Sequence, residues 1–270
     1  MKHLPNLLTL GNLFCGCIAV VYILTAQPYT SMTLPEHGGL PSWQWIQGAE
    51  QMYLGSFFIV FAAIFDLLDG LVARALKVFS PIGKDLDSLA DVVSFGVAPS
   101  CILYQLLWDA AKGEKNAFDV SMITMAPAFL LACFAALRLA KFNVTASSQK
   151  THFIGMPTPA AGLFVATFPL VLWFAPAGYA QLLNPVFRNV WAIYGIIAVL
   201  CWLMVSPIPF IKLMPSQWKI AAIWPQLILL VLAAVSVPFL GYMAAPLLFV
   251  AYVLLSLVYP AGRNERTDLN

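Results

Sequence analysis

The sequence predicts a polytopic, all-α transmembrane helix bundle of about eight spans. Three observations carry that prediction. Of the 270 residues, 61% are hydrophobic and only 10% charged, with a mean hydropathy of +0.84, whereas soluble domains carry about 25% charged residues. Apolar segments of spanning length recur along the chain, at about 6–26, 50–78, 83–108, 119–144, 158–178, 188–208, 218–238 and 240–260. Finally, the basic residues sort by side when those segments are counted off in turn. A soluble enzyme and a disordered chain are excluded. With a net charge of +2 and no long basic run, nothing points to nucleic acid.

The first segment lacks a small-residue cleavage site before Pro28 and is expected to be a retained helix. The 27–49 stretch is rich in Pro, Gly and polar residues and reads as a loop, with Trp43 and Trp45 suited to a membrane interface. Between the second and third segments, Ser80-Pro81 reads as an N-cap followed by proline in the first helical position. The fourth segment ends in Arg138, Lys141 and Asn143. The last two are divided only by Val237-Pro238-Phe239-Leu240-Gly241, so they are either two spans or one kinked helix too long to span once. The five cysteines fall inside apolar segments, as small hydrophobes rather than a disulfide framework. One integral membrane domain is expected over 1–270, its catalytic core at about 1–210 and extra C-terminal helices at about 218–260.

With the N-terminus inside, the cytoplasmic ends hold Lys2, Arg74, Lys77, Lys84, Arg138, Lys141, Lys150, Lys212, Lys219, Arg263 and Arg266. Only Lys112, Lys115 and Arg188 fall on the other side. The bias puts both termini in the cytoplasm.

Five of the 12 acidic residues lie between positions 66 and 91. Asp66 and Asp69 are three apart on one predicted helix, and Asp87 and Asp91 are four apart on the next. Both spacings put two carboxylates on one face, so a hairpin can bring all four together. Four bare carboxylates at helix centres would cost roughly 2.5–3.5 kcal/mol each. Two devices offset this: depth near the cytoplasmic end, and bound metal. Four negative charges match two divalent cations, and an all-oxygen set without His or Cys suits Mg²⁺ or Mn²⁺ rather than zinc. Gly70 and Ala73 leave room for a bulky ligand group beside the acids, and Arg74 adds a cation at the mouth. Together these suggest a diphosphate substrate approached from the cytoplasm. Asp85 points away and reads as a solvated cap or ion-pair residue. Arg138 lies deep in an apolar run, where an anionic ligand would account for its placement. Ser94 and Asn6 read chiefly as helix-packing hydrogen bonders, and His152 as a solvated loop residue.

The pattern Asp66-x2-Asp69-Gly70-x2-Ala73-Arg74-x8-Gly83-x3-Asp87-x3-Asp91 resembles the signature of the CDP-alcohol phosphotransferase family. Its members transfer a phosphoalcohol or phosphatidyl group from a CDP-linked donor to an acceptor hydroxyl and release CMP. The resemblance implies that Asp66, Asp69, Asp87 and Asp91 hold Mg²⁺ or Mn²⁺, with two ions expected. It also makes Asp91 the base that deprotonates the acceptor. Asp69, Gly70, Ala73, Arg74, Gly83 and Asp87 would line the cytidine-diphosphate site. Further stretches resemble the family's serine-accepting branch. They are Pro5-Asn6-Leu-Leu-Thr9-Leu-Gly11-Asn12, Asp91-Val-Val-Ser94-Phe95-Gly96-Val97-Ala98-Pro99, Arg138-Leu-Ala-Lys141-Phe142-Asn143 and Phe153-Ile-Gly155-Met-Pro157-Thr-Pro159. Lys141 stands where that branch more often has arginine, which keeps the charge and loses the bidentate fork.

The resemblance implies CDP-diacylglycerol and L-serine as substrates, with Arg138, Lys141, Ser94 and Asn6 as candidate acceptor or lipid-phosphate contacts. It also implies a homodimer in the inner or plasma membrane. A sister enzyme with glycerol 3-phosphate or inositol phosphate as acceptor would favour a denser basic site. A cation-coupled transporter would show broken helices in two repeated halves, whereas these acids occupy a single hairpin.

Overall fold

The computed structural model describes residues 3–26, 29–33, 42–46, 52–77, 81–114, 120–145, 153–174, 185–211 and 220–258. Each of the eight apolar segments contains a helix. Helix α1 (Leu4–Thr25) starts with Pro5 in its first turn, where a missing N–H costs nothing. It packs along α2 (Met52–Leu76), which carries Asp66 and Asp69. Helix α3 (Pro81–Asp91) runs without a break into a π-helical segment (Val92–Val97) and then α4 (Ala98–Glu114). The next segment is α5 (Met122–Met125), a 3₁₀ turn (Ala126–Phe129) and α6 (Leu130–Thr145). Helices α7 (Thr158–Phe174) and α8 (Val190–Val205) follow, then α9 (Ile220–Leu240) and α10 (Ala244–Val258).

Contacts between helix ends show that successive segments run in alternating directions. At one end, Thr9 of α1 meets Asp69 of α2, and Lys84 of α3 meets Asn143 of α6. At the same end two short strands, β3 (Phe153–Ile154) and β4 (Pro209–Phe210), pair antiparallel and join the start of α7 to the end of α8. At the other end, Gln105 Nε2 of α4 donates to Ile23 O of α1 at 3.0 Å, and Tyr194 Oη of α8 donates to Thr124 O at 2.6 Å.

Four stretches are long and apolar enough to cross a membrane by themselves: Leu4–Thr25, Met52–Leu76, Ile82–Lys112 and Met122–Val144. A fifth, Trp224–Val258, has 35 residues, or about 52 Å of helix if straight, too long for a ~30 Å hydrocarbon layer. It does not run straight. Gly241, with φ of +53°, ends α9 in the left-handed region that favours glycine, and α10 packs back against α9. Thr158–Phe174 and Val190–Val205 are apolar but shorter.

The π segment occupies the centre of the core, touching α1, α2, α4, α6 and α7. Small residues admit it. A Cβ on Gly162 of α7 would lie 2.8 Å from Phe95 Cα, and one on Gly16 of α1 would lie 2.9 Å from Ser94 Cα. Close backbone approach at small residues is how helices associate where lipid removes the hydrophobic drive. Phe95, Ala98, Ile102, Leu103 and Leu107 are completely buried beneath these contacts.

The structure departs from the sequence reading in two places. The 27–49 stretch is not all loop: strands β1 (Tyr29–Thr33) and β2 (Ser42–Ile46) form an antiparallel ribbon. Alternating Thr, Ser and aromatic residues suit a strand, a pattern the Pro and Gly content obscured. The third apolar segment also contains the π turn, which hydropathy cannot distinguish from α-helix. The Ser80 cap and His152 lie outside the described residues.

Candidate active site

Helices α2 and α3 both pack against α1, and between them three carboxylates come together. Asp66, Asp69 and Asp87 each offer an oxygen, all within 4.8 Å of one another. Asp69 is buried, and Asp66 and Asp87 are half-buried. Asp91, 6% exposed, lies one helical turn below Asp87 and outside that trio, although within electrostatic range of Asp66 and Asp87. The four acids thus form a trio with one deeper member rather than an even square. The helical offset explains it, since four residues along α3 move Asp91 about 6 Å further into the bundle.

Helix α1 grips this cluster from the side. Thr9 Oγ1 donates to Asp69 Oδ2 at 2.7 Å, and Asn12 Nδ2 donates to Asp91 Oδ1 at 3.3 Å. Both donors are buried, Asn12 completely. These residues stand in the N-terminal stretch quoted above, where no role is assigned to either. Only the three-residue spacing of Thr9 and Asn12 signalled a shared face.

Asp87 Oδ1 is buried with no hydrogen-bond partner among the described residues, and so is Asn12 Oδ1. A buried, unsatisfied carboxylate oxygen beside two other carboxylates is expensive unless a cation completes it. Opposite ligands of a Mg²⁺ or Mn²⁺ ion with bonds of about 2.1 Å lie about 4.2 Å apart, so oxygens spread over 4.8 Å can close on such an ion. The donor set fits a hard divalent cation.

Gly70 sits beside the trio, and a Cβ there would meet no atom within 4 Å. The space left by this small residue is therefore an open slot. Arg74 Nε donates to Gly70 O at 2.9 Å, folding the arginine back along α2 at the rim of that slot. Ala73 and Gly83, on facing arms of the hairpin, are half-buried. Asp85 is exposed, as expected of a solvated residue.

The predicted acceptor residues do not gather in one place. Arg138 is buried in α6, where Nη1 donates to Thr158 Oγ1 at 3.0 Å and the guanidinium lies 5.5 Å from the Phe142 ring centre. It is also within electrostatic range of Asp91. With Lys141, Phe142, Ile154, Met204, Val205 and Ser206 it lines a partly open pocket. Ser94 points elsewhere, donating to Asn12 O at 3.0 Å as a packing contact. Asn6 is half-buried in the first turns of α1. Asn143, read only as a helix end, fastens two elements together. Its Nδ2 donates to Ser88 Oγ at 2.7 Å and its carbonyl accepts from Lys84 Nζ at 2.8 Å, tying α6 to α3.

The family model for CDP-alcohol phosphatidyltransferases matches residues 2–204. The chain belongs to that family. Its similar relatives include proteins named CDP-diacylglycerol–serine O-phosphatidyltransferase from three distant sources. The Helicobacter pylori protein is 31% identical over 255 residues, 93% of this chain and 87% of its own length. The Bacillus subtilis protein is 30% identical, covering 68% of this chain and 87% of its own. The Methanocaldococcus jannaschii protein is 36% identical, covering 62% and 69%. As a CDP-alcohol phosphatidyltransferase the chain is a membrane-embedded transferase, and the matched residues include the carboxylates of α2 and α3.

Proposed function

We propose that this protein is a phosphatidylserine synthase, transferring the phosphatidyl group of CDP-diacylglycerol to the hydroxyl of L-serine and releasing CMP. The observation that carries the reading is the carboxylate trio beside the open slot at Gly70, in a family of CDP-linked transferases. The similar proteins from bacteria and an archaeon that bear this activity in their names narrow the acceptor to serine.

Asp66, Asp69, Asp87 and Asp91 would hold one or two Mg²⁺ or Mn²⁺ ions, which neutralise the diphosphate and stabilise the departing phosphate of CMP. Gly70, Ala73 and Gly83 leave the hairpin open where the cytidine diphosphate enters, and Arg74 supplies a positive rim. Asp91 accepts the proton of the serine hydroxyl, and the resulting oxygen attacks the lipid-linked phosphorus. Its depth keeps that proton transfer away from bulk water. Arg138 and Lys141 offer positive charge to the serine carboxylate or the lipid phosphate, on the same side of the bundle as Asp91. Ser94 and Asn6 are at most secondary contacts.

The eight apolar segments read as eight spans with both termini in the cytoplasm. The acidic hairpin then opens to cytoplasmic serine, while the diacyl chains stay in the bilayer of the inner or plasma membrane. The match to residues 2–204 supports a catalytic core over about 1–210 of a single domain, with α9 and α10 as additions. The working unit is a homodimer, by the family resemblance.

The test is CMP release by purified protein given CDP-diacylglycerol, Mn²⁺ or Mg²⁺, and a panel of serine, glycerol 3-phosphate and inositol phosphate. Release with serine alone is expected. Asp91→Asn should lower the rate by about 10²–10⁴-fold, the range for a lost general base. Full activity in that variant, or CMP release only with a phosphorylated acceptor, overturns the assignment.

A further inference from the structure

We propose that Thr9 and Asn12 of α1 are positioning residues that fix the spacing of the carboxylates on α2 and α3 for a divalent cation. The inference rests on the reading of those carboxylates as metal ligands. The two residues are three apart on α1 and share a face. One reaches each arm of the hairpin: Thr9 to Asp69 on α2 at 2.7 Å, Asn12 to Asp91 on α3 at 3.3 Å. Helix α1 is thereby a common ruler for the two arms.

The chemistry of each contact favours this role. The Thr9 hydroxyl has one proton and two acceptors in reach, Asp69 Oδ2 and Pro5 O at 3.0 Å. A carboxylate is the stronger acceptor, so the proton goes to Asp69 and the helical carbonyl aligns the hydroxyl. For Asn12, only the amide nitrogen can face a carboxylate without repulsion, which fixes the orientation of the side chain. Each donor occupies one carboxylate oxygen and leaves the other for an ion.

Asn12 is also held in place. Its carbonyl accepts from Ser94 Oγ at 3.0 Å, and Gly16 lets α1 lie directly on the π segment at that point. Helix α1, the π segment and Asp91 therefore move together or not at all. Asp87 Oδ1, by contrast, has no hydrogen bond among the described residues. The tethered members are the two deepest acids, and Asp87 keeps a free oxygen for the ion.

The experiment is titration of the full-length protein in detergent with Mn²⁺ alone, following the paramagnetic resonance of free Mn²⁺. Thr9→Val and Asn12→Leu should each weaken Mn²⁺ binding by about 10-fold or more, the effect of losing an outer-shell partner. Thr9→Ser keeps the hydroxyl and should bind within about 3-fold of the parent, a rescue that simple packing would not give. Thr25→Val, which loses a hydroxyl bonded to the Val21 and Tyr22 carbonyls at the far end of α1, is the control and should bind like the parent. Parent-like Mn²⁺ affinity in both Thr9→Val and Asn12→Leu overturns the proposal. So does failure of both to fold while Thr9→Ser folds, because the contacts would then serve folding. If the parent itself binds no Mn²⁺, the metal reading fails, and that result is distinct from either outcome for the ruler.

Discussion

The helix running from α3 through the π segment into α4 and the hairpin of α9 and α10 are both long enough and apolar enough to cross a membrane, in opposite surroundings. The most apolar stretch of Ile82–Lys112 is 61% buried inside the protein, whereas that of Trp224–Val258 is 6% buried. The first has a mean hydropathy of 1.4 and the second 2.3, so the less apolar helix is the more buried. In a bilayer, apolar surface has no need of protein to hide it, and burial follows small residues and polar contacts instead. The central helix has both, with Gly16 and Gly162 against it and Asp91, Ser94, Ser100 and Gln105 buried along it. The hairpin has fewer among the described residues, with Phe249 stacked on Phe164 at 3.9 Å, Tyr242 on Phe174 at 4.8 Å, and Ser256 and Tyr252 bonded to the Ile211 backbone.

Substitutions can probe that contrast. The largest effect on stability is expected from Gly162→Ala, whose new methyl meets the Phe95 backbone. Overpacking of this kind costs about 1–3 kcal/mol, and a thermal unfolding scan in detergent should show a clear drop in Tm. An unchanged Tm would mean that the π segment is not wedged as described. Next comes Gly70→Ala, on α2 beside the carboxylates and facing open space. Its Tm should hold while KM for CDP-diacylglycerol rises about 10-fold, or ~1.4 kcal/mol; a parallel loss of Tm would show that the slot is packing space. Ser256→Ala removes the 3.4 Å bond from Ile211 N in the hairpin, at a cost of about 0.5–1.5 kcal/mol. Serine turnover should stay within about twofold, and a larger loss would bring the hairpin into the catalytic unit. Smallest is Gly195→Ala in α8, where a Cβ meets nothing within 4 Å. It should stabilise the protein by up to about 1 kcal/mol through helix propensity alone.

The helices were legible because a spanning segment announces itself by length and apolarity, and the site because carboxylates in such segments are rare. Asp66, Asp69 and Asp87 followed from their spacing on two helices close together in sequence. What the sequence hid depends on contacts between distant segments. Thr9 and Asn12 act on residues 60 and 79 positions away, and Asn143 ties down Ser88 from 55 positions away. The displaced position of Asp91 and the wedging of Ser94 also needed the packing of α1 against the π segment. The 29–46 ribbon was masked by the Pro and Gly residues around it.

The π segment at Val92–Val97 has a consequence for how this chain tolerates changes in length. A π turn holds more residues than an α turn, so it acts as a phase shift between the helix before it and the helix after it. The wider turn absorbs one extra residue, so Asp87 and Asp91 keep the faces they would have on a continuous α-helix one residue shorter. Removing one residue from Val92–Val97 would therefore restore continuous α-helix and leave both acids facing α2 and α1. Removing one residue from α4, which has no such slack, would instead rotate the acids by about 100° relative to the rest of that helix. Hydropathy would register little difference between the two deletions, so the face the acids present depends on where a residue is lost and not only on which residue it is.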